Sequence, residues 1–131
     1  LSLRRQRQMC IRDRSKANET TTHEVVGEVE GKTCLLVDDM VDTAGTMCQA
    51  ALALKKHGAK RVIAAATHPI LSDPAAERIN NSPIEELIVT NTLKIRDDID
   101  IPAMTLLSIA PLIAKAIQEV FEDGSVTSLF R

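Results

Sequence analysis

Three carboxylates, two hydroxyls and a glycine follow an apolar run in Leu35-Leu36-Val37-Asp38-Asp39-Met40-Val41-Asp42-Thr43-Ala44-Gly45-Thr46. Each residue type has a chemical use at this spacing. Small residues let a backbone approach an anion closely. A helix beginning at Thr46 offers unpaired N–H donors and the positive end of its dipole. Thr43 and Thr46 add hydroxyl donors, so the stretch reads as a cradle for a phosphate monoester. Adjacent carboxylates repel phosphate but accept hydrogen bonds from sugar hydroxyls. They can also take part, directly or through water, in binding Mg²⁺. The segment therefore suits a sugar phosphate, with Asp38 and Asp39 on the diol and Thr43 to Thr46 on the phosphate. The spacing matches neither a Walker A loop, since no Gly-Lys-Ser/Thr follows, nor GxGxxG. A plain acidic turn with a capping Thr or Asp is the competing reading of Asp42-Thr43-Ala44-Gly45-Thr46, and the two carboxylates directly after an apolar strand weigh against it.

The flanking elements must deliver these residues to one place. Thr33-Cys34-Leu35-Leu36-Val37 is a continuous apolar run of strand length, expected at the centre of a sheet and buried on both faces. Val25 to Lys32 reads as a short strand with a turn at Glu30-Gly31. Thr46 to His57 has helical spacing through Met47, Ala50, Ala51 and Leu54, with Gly58 as its stop. Arg61 to Ala66, Glu86 to Thr90 and Met104 to Ile109 read as further strands. A helix opens at Asp73-Pro74-Ala75 with Asp73 as its cap, and another covers Ala110 to Phe121 with Leu112, Ile113, Ala116, Ile117 and Val120 on one face. Alternating strands and helices imply an α/β fold, a parallel sheet flanked by helices, with ligands at the carboxyl ends of the strands.

The chain has 131 residues, room for one domain. Aromatics are 2% of it, with no Trp or Tyr, which argues against base-stacking nucleic-acid binders and sugar-stacking lectins. The net charge of −2 offers no basic field for a polyanion. Charge is uneven, however. Residues 1–14 carry five arginines against Asp13, a net +4, which leaves −6 for the remainder. They have neither a strand nor a helix period, so residues 1–14 are read as a non-native or disordered basic segment. Residues 15–131 are read as the binding domain. Three cysteines without CxxC spacing suit reduced thiols in a cytoplasmic protein, with Cys34 and Cys48 in the core. No apolar run approaches the roughly 20 residues that span a bilayer, so no membrane partner is expected. No grouping of His, Cys and Asp has a zinc spacing, and no metal ligand or catalytic residue is assigned. His57 reads as a helix C-terminal residue favoured by the dipole, and Lys55, Lys56, Lys60 and Arg61 as a solvated helix end. His68, at a strand end before Pro69, reads as a structural turn residue, with a nucleotide contact as the alternative.

The motif Val37-Asp38-Asp39-Met40-Val41-Asp42-Thr43-Ala44-Gly45-Thr46 resembles the phosphoribosyl-binding signature of the type I phosphoribosyltransferase fold. More narrowly, it is similar to that of the ribose-phosphate diphosphokinases. The similarity continues through Gly27 to Lys32, Lys56 to Val62, Thr67 to Ser72, Pro74 to Ile79 and Ser125 to Phe130, and covers roughly Ser15 to Phe130. It implies the C-terminal part of a longer enzyme, incomplete on its N-terminal side. Such an enzyme transfers a diphosphoryl group from ATP to ribose 5-phosphate with Mg²⁺ and works as an oligomer. By motif match, Asp38, Asp39, Asp42, Thr43, Ala44, Gly45 and Thr46 would bind ribose 5-phosphate. Ser125, Thr127 and Ser128 would lie near a regulatory phosphate site. One departure stands out. The family's Lys-Arg-Arg-Pro run falls on Arg12, Asp13, Arg14 and Ser15, which puts a carboxylate where phosphoryl transfer needs cations. A chain without that run and without an ATP-binding half is expected to be inactive alone. The alternatives are a catalytically silent synthetase-associated regulatory protein and a phosphoribosyltransferase; no base-binding hood supports the latter.

Overall fold

β-Branched and aliphatic residues make Thr33-Cys34-Leu35-Leu36-Val37 a strand, but the strand does not stop where the apolar run stops. In the computed structural model, which describes residues 27–122 and 124–127, strand β1 spans Thr33–Val41 and so includes Asp38 and Asp39. Backbone pairing carries it onward. Asp38 lies in parallel register with Ala66, Met40 with His68 and Val41 with Pro69 of strand β2, Arg61–Pro69. Strands β3, Glu86–Thr90, and β4, Met104–Leu107, complete a four-stranded parallel sheet in the order β1-β2-β3-β4.

Helix α1, Gly45–Lys56, begins one residue before the sequence suggests and ends at a Schellman turn. Gly58 adopts φ 86° there. The Gly58 and Ala59 N–H groups donate to the carbonyls of Lys55 and Leu54, each at 3.0 Å. Helix α2, Ala75–Asn80, has Pro74 at its cap position and no side-chain cap. The expected cap, Asp73, instead accepts a 2.9 Å hydrogen bond from Arg96 Nη2, so its carboxylate is turned to an ion pair. The turn at Glu30-Gly31 forms, pinned by the Gly31 N–H on the Gly58 carbonyl at 2.8 Å. No strand forms over residues 27–29, and Val25 and Val26 lie outside the described residues.

Leu35-Leu36-Val37 is not central: among the described residues β1 is an edge strand. Leu35 is 59% exposed and Val37 74% exposed, while Leu36 is half-buried. The strand order explains this. Successive right-handed crossovers that all step in one direction put their helices on one face of the sheet. Val62, Ala64 and Ala66 of β2 and Leu87 and Val89 of β3 are buried on that face, against Ala51 and Leu54 of α1 and Ile79 of α2. By alternation, the other face presents Leu35, Val37, Ile63, Ala65 and Ile88 without a covering layer among the described residues. Helix α3, Ala110–Phe121, forms over the expected span but buries no residue; its apolar face, with Ile113, Ile117 and Val120, is exposed. The basic segment 1–14 and the junction at Ser15 lie outside the described residues.

Candidate functional site

The carboxyl end of β1 runs into the amino end of α1 through Asp42, Thr43 and Ala44, and this short connection sets the site's geometry. Ala44 takes a left-handed backbone, φ 57° and ψ 7°. An L-residue held there costs about 1–2 kcal/mol, so the surroundings must enforce it. Ala44 is buried, and its carbonyl accepts the first bond of α1, from the Cys48 N–H at 3.0 Å. The N–H groups of Ala44, Gly45, Thr46 and Met47 donate to no protein acceptor among the described residues, and no side chain caps the helix. A left-handed residue opening into a helix, followed by orphan donors, is a concavity suited to an anion.

The Thr43 carbonyl stands where it could have accepted the Met47 N–H in a longer helix. It accepts instead from Arg78 Nη1 of α2 at 3.0 Å. A Cβ placed on Gly45 would sit 3.3 Å from that same nitrogen, so glycine leaves room for the guanidinium.

Asp38 and Asp39 are exposed and leave opposite faces of the strand end by alternation. The Asp39 N–H donates to Asp38 Oδ1 at 2.9 Å. Asp38, Asp39 and Asp42 pair with no basic side chain among the described residues. Thr43, Gly45 and Thr46 share a cleft of about 680 Å³ with Gln49, Arg78 and Ser82, between α1 and α2. The three carboxylates do not line that cleft. The structure thus gathers the Thr43–Thr46 residues at the helix start, with the carboxylates at the adjoining strand end.

Other candidates fall into place around this end. His68 Nδ1 is 2.9 Å from Thr92 Oγ1. The hydroxyls of Thr90 and Thr92 both reach the Thr67 carbonyl, at 2.6 Å and 2.9 Å. These contacts tie the His68 ring to the Thr67, Thr90 and Thr92 cluster at the ends of β2 and β3. His57 Nδ1 lies 2.8 Å from the Ala53 carbonyl, as suits a helix C-terminus. Lys55 and Arg61 of the basic cluster both reach Glu85, at 3.4 Å and 2.8 Å. Cys48 is buried, and burial raises its thiol pKa against smaller opposing effects of Ser82 and Arg78. Cys34 is only half-buried. Ser125 Oγ and Thr127 Oγ1 hydrogen-bond each other at 2.6 Å, and Ser128 lies outside the described residues.

Arg78 is the residue that pattern reading did not assign to the site. It lies 35 positions from Thr43, and nothing in its spacing marks it. Glycine is the usual occupant of a left-handed backbone, but here the left-handed residue is Ala44, and Gly45 is the first helical residue.

A family model described as phosphoribosyl synthetase-associated domain matches residues 5–131. A ribose-phosphate pyrophosphokinase of Streptomyces coelicolor is 58% identical over 119 residues, which is 91% of this chain and 37% of that protein. One from Mycobacterium tuberculosis strain H37Rv is 53% identical over 119 residues, 91% of this chain and 36% of that protein. The crystal structure of phosphoribosylpyrophosphate synthetase from Mycobacterium smegmatis superimposes with a TM-score of 0.71 at 56% identity, covering 76% of this chain and 33% of that one. The chain spans little more than a third of the length of the curated relatives it matches.

Proposed function

The chain belongs to the phosphoribosyl synthetase-associated domain family, and from that membership we propose that it is the ribose 5-phosphate-binding portion of a longer ribose-phosphate diphosphokinase. Residues 15–131 form that portion. The complete enzyme transfers the diphosphoryl group of ATP to the anomeric hydroxyl of ribose 5-phosphate, releasing AMP and making phosphoribosyl pyrophosphate for nucleotide biosynthesis in the cytoplasm. The reaction is the one for which the relatives from Streptomyces coelicolor and Mycobacterium tuberculosis are named. The observation that carries the binding role is the run of four N–H groups, Ala44 to Met47, that have no protein acceptor among the described residues, next to the strand-end carboxylates.

Each residue has a task in this reading. The N–H groups of Ala44 to Met47 and the hydroxyls of Thr43 and Thr46 hold the 5-phosphate. Asp38 and Asp39 accept hydrogen bonds from the ribose hydroxyls and orient the ring. Asp42 sits at the loop between them. Mg²⁺ fits the donor chemistry without a protein cage. Among the described residues no group of three or more His, Cys, Asp or Glu side chains converges on a metal position. Mg²⁺ is commonly held by one or two carboxylates together with substrate phosphates, and Asp38 and Asp39 supply hard oxygen ligands free of ion-pair partners among those residues. When bound, the ion neutralises charge on the phosphates in transfer.

Titration calorimetry with ribose 5-phosphate tests this reading. The wild-type chain should bind, and Asp38→Asn with Asp39→Asn should weaken ribose 5-phosphate binding while leaving inorganic phosphate binding intact. Equal ribose 5-phosphate affinity in the double variant would remove the carboxylates from the site.

A further inference from the structure

We propose that Arg78 is a positioning residue for the phosphate-binding turn, fixing the direction in which the Ala44 N–H points; this rests on the sugar-phosphate reading of the turn. Arg78 Nη1 donates to the Thr43 carbonyl at 3.0 Å. The Thr43–Ala44 peptide is trans, so its C=O and N–H point in opposite directions. Holding the carbonyl oxygen toward Arg78 therefore aims the Ala44 N–H away from the guanidinium, and among the described residues that N–H, like those of Gly45, Thr46 and Met47, meets no protein acceptor. Arg78 thus acts on the turn through the Thr43 carbonyl, from a wall of the cleft it shares with Gly45 and Thr46.

Three further observations agree. Ala44 is held at φ 57°, a backbone that an alanine leaves readily unless something restrains the adjoining peptide. The Thr43 carbonyl has no helical N–H donor, and a rotated peptide would let it take the Met47 N–H, consuming one of the anion donors. Gly45 is the residue whose missing side chain lets the guanidinium approach, since a Cβ there would meet Arg78 Nη1 at 3.3 Å. A planar, permanently charged donor also suits the task, because it keeps its geometry and its charge at any physiological pH. Its charge beside the peptide oxygen further polarises the Ala44 N–H toward an incoming anion.

The test uses this chain with Arg78→Ala and Arg78→Lys, read by ribose 5-phosphate calorimetry, thermal melts and the Ala44 amide proton shift. Arg78 is exposed, so the melting temperature should move by no more than a few degrees. Arg78→Ala should weaken ribose 5-phosphate binding about tenfold, the scale of one charge-assisted hydrogen bond, and shift the Ala44 amide in the free chain. Added guanidinium at millimolar concentration should restore part of the affinity to Arg78→Ala, and Arg78→Lys should fall between it and wild type. Unchanged affinity and an unmoved Ala44 amide in Arg78→Ala would overturn the proposal while leaving the sugar-phosphate site standing. Affinity lost in step with the melting temperature, without guanidinium rescue, would overturn it in favour of a structural role. Absence of ribose 5-phosphate binding by the wild-type chain would overturn the site reading itself, and Arg78's role with it.

Discussion

Asp38 stands directly across from Ala66 in the β1–β2 register. The carboxylate is therefore carried by a paired strand, and the residue beside it on the same face is a small buried methyl group. This relationship gives the site a rigid floor. Asp38 and Asp39, the proposed sugar contacts, ride on the sheet, and the turn at Asp42 to Ala44 joins that strand to α1.

Burial differs along the sheet, and truncations should report it. Leu87 is fully buried on the helix-covered face, so Leu87→Ala should cost about 2–5 kcal/mol in denaturant melts. Leu36 is half-buried on an edge strand, and Leu36→Ala should cost about 1–2 kcal/mol. Leu35→Ala, on the uncovered face, should cost about 0.5 kcal/mol or less. A loss at Leu35 equal to that at Leu87 would mean that the second face is covered in solution.

The turn should tolerate glycine at one position and resist side chains at two. Ala44→Gly removes left-handed strain and should change stability by less than about 1 kcal/mol. Ala44→Val should cost about 2 kcal/mol or more, because a β-branched residue is a steric outlier at this angle. Gly45→Ala should leave the fold intact and push Arg78 from the Thr43 carbonyl. Thermal melts of the three variants, with the Ala44 amide shift for Gly45→Ala, check these expectations; equal melting temperatures for Ala44→Gly and Ala44→Val would contradict them.

Glu85 joins the end of α1 to the start of β2 by accepting from both Lys55 and Arg61. The Arg61 hydrogen bond holds its carboxyl below the usual carboxylate range, against a smaller desolvation effect, with Lys55 adding to the lowering. A lowered folded-state pKa stabilises the fold above the unfolded-state pKa, and that contribution fades as pH falls through the folded value. Glu85→Gln should therefore melt slightly below wild type at neutral pH, and the gap should close in acid. The groups are exposed enough that salt should shrink the gap too. A gap that widens in acid would reverse the assignment.

The chain alone should make no phosphoribosyl pyrophosphate. It spans about 37% of a relative that carries the named activity, and Asp13 stands among the positions where the resembled family has cations. Incubation with ATP, Mg²⁺ and ribose 5-phosphate, followed by product chromatography, decides the matter. Sustained turnover by the purified 131-residue chain would contradict the account.

Much of the fold was legible because its signals are local. The runs Arg61 to Ala66 and Glu86 to Thr90 and the Gly58 stop each name their element from a few neighbouring residues. What the sequence hid is non-local. The run at Leu35 says that a strand can be buried on both faces, but not what covers it. The strand's extension through Asp38 and Asp39 depends on pairing with Ala66, His68 and Pro69, which the polar residues of β1 do not announce. Asp73 looked like a cap because Asp-Pro suits a helix start, and the distant Arg96 drew its carboxylate away. At the site, the loop composition carries the proposed sugar-phosphate reading, and the structure brings Thr43 to Thr46 together at the start of α1. The sequence does not mark the left-handed residue, because glycine is the usual occupant and here alanine takes the strain.

The central claim is that the N–H groups of Ala44 to Met47 receive the phosphate of ribose 5-phosphate. Amide-resolved NMR during a ribose 5-phosphate titration tests it most directly. The account predicts that these four amides shift together and saturate, that inorganic phosphate moves the same amides with weaker affinity, and that ribose alone leaves them in place. Saturable binding of ribose 5-phosphate with these amides unmoved, or no saturable binding at all, would contradict it.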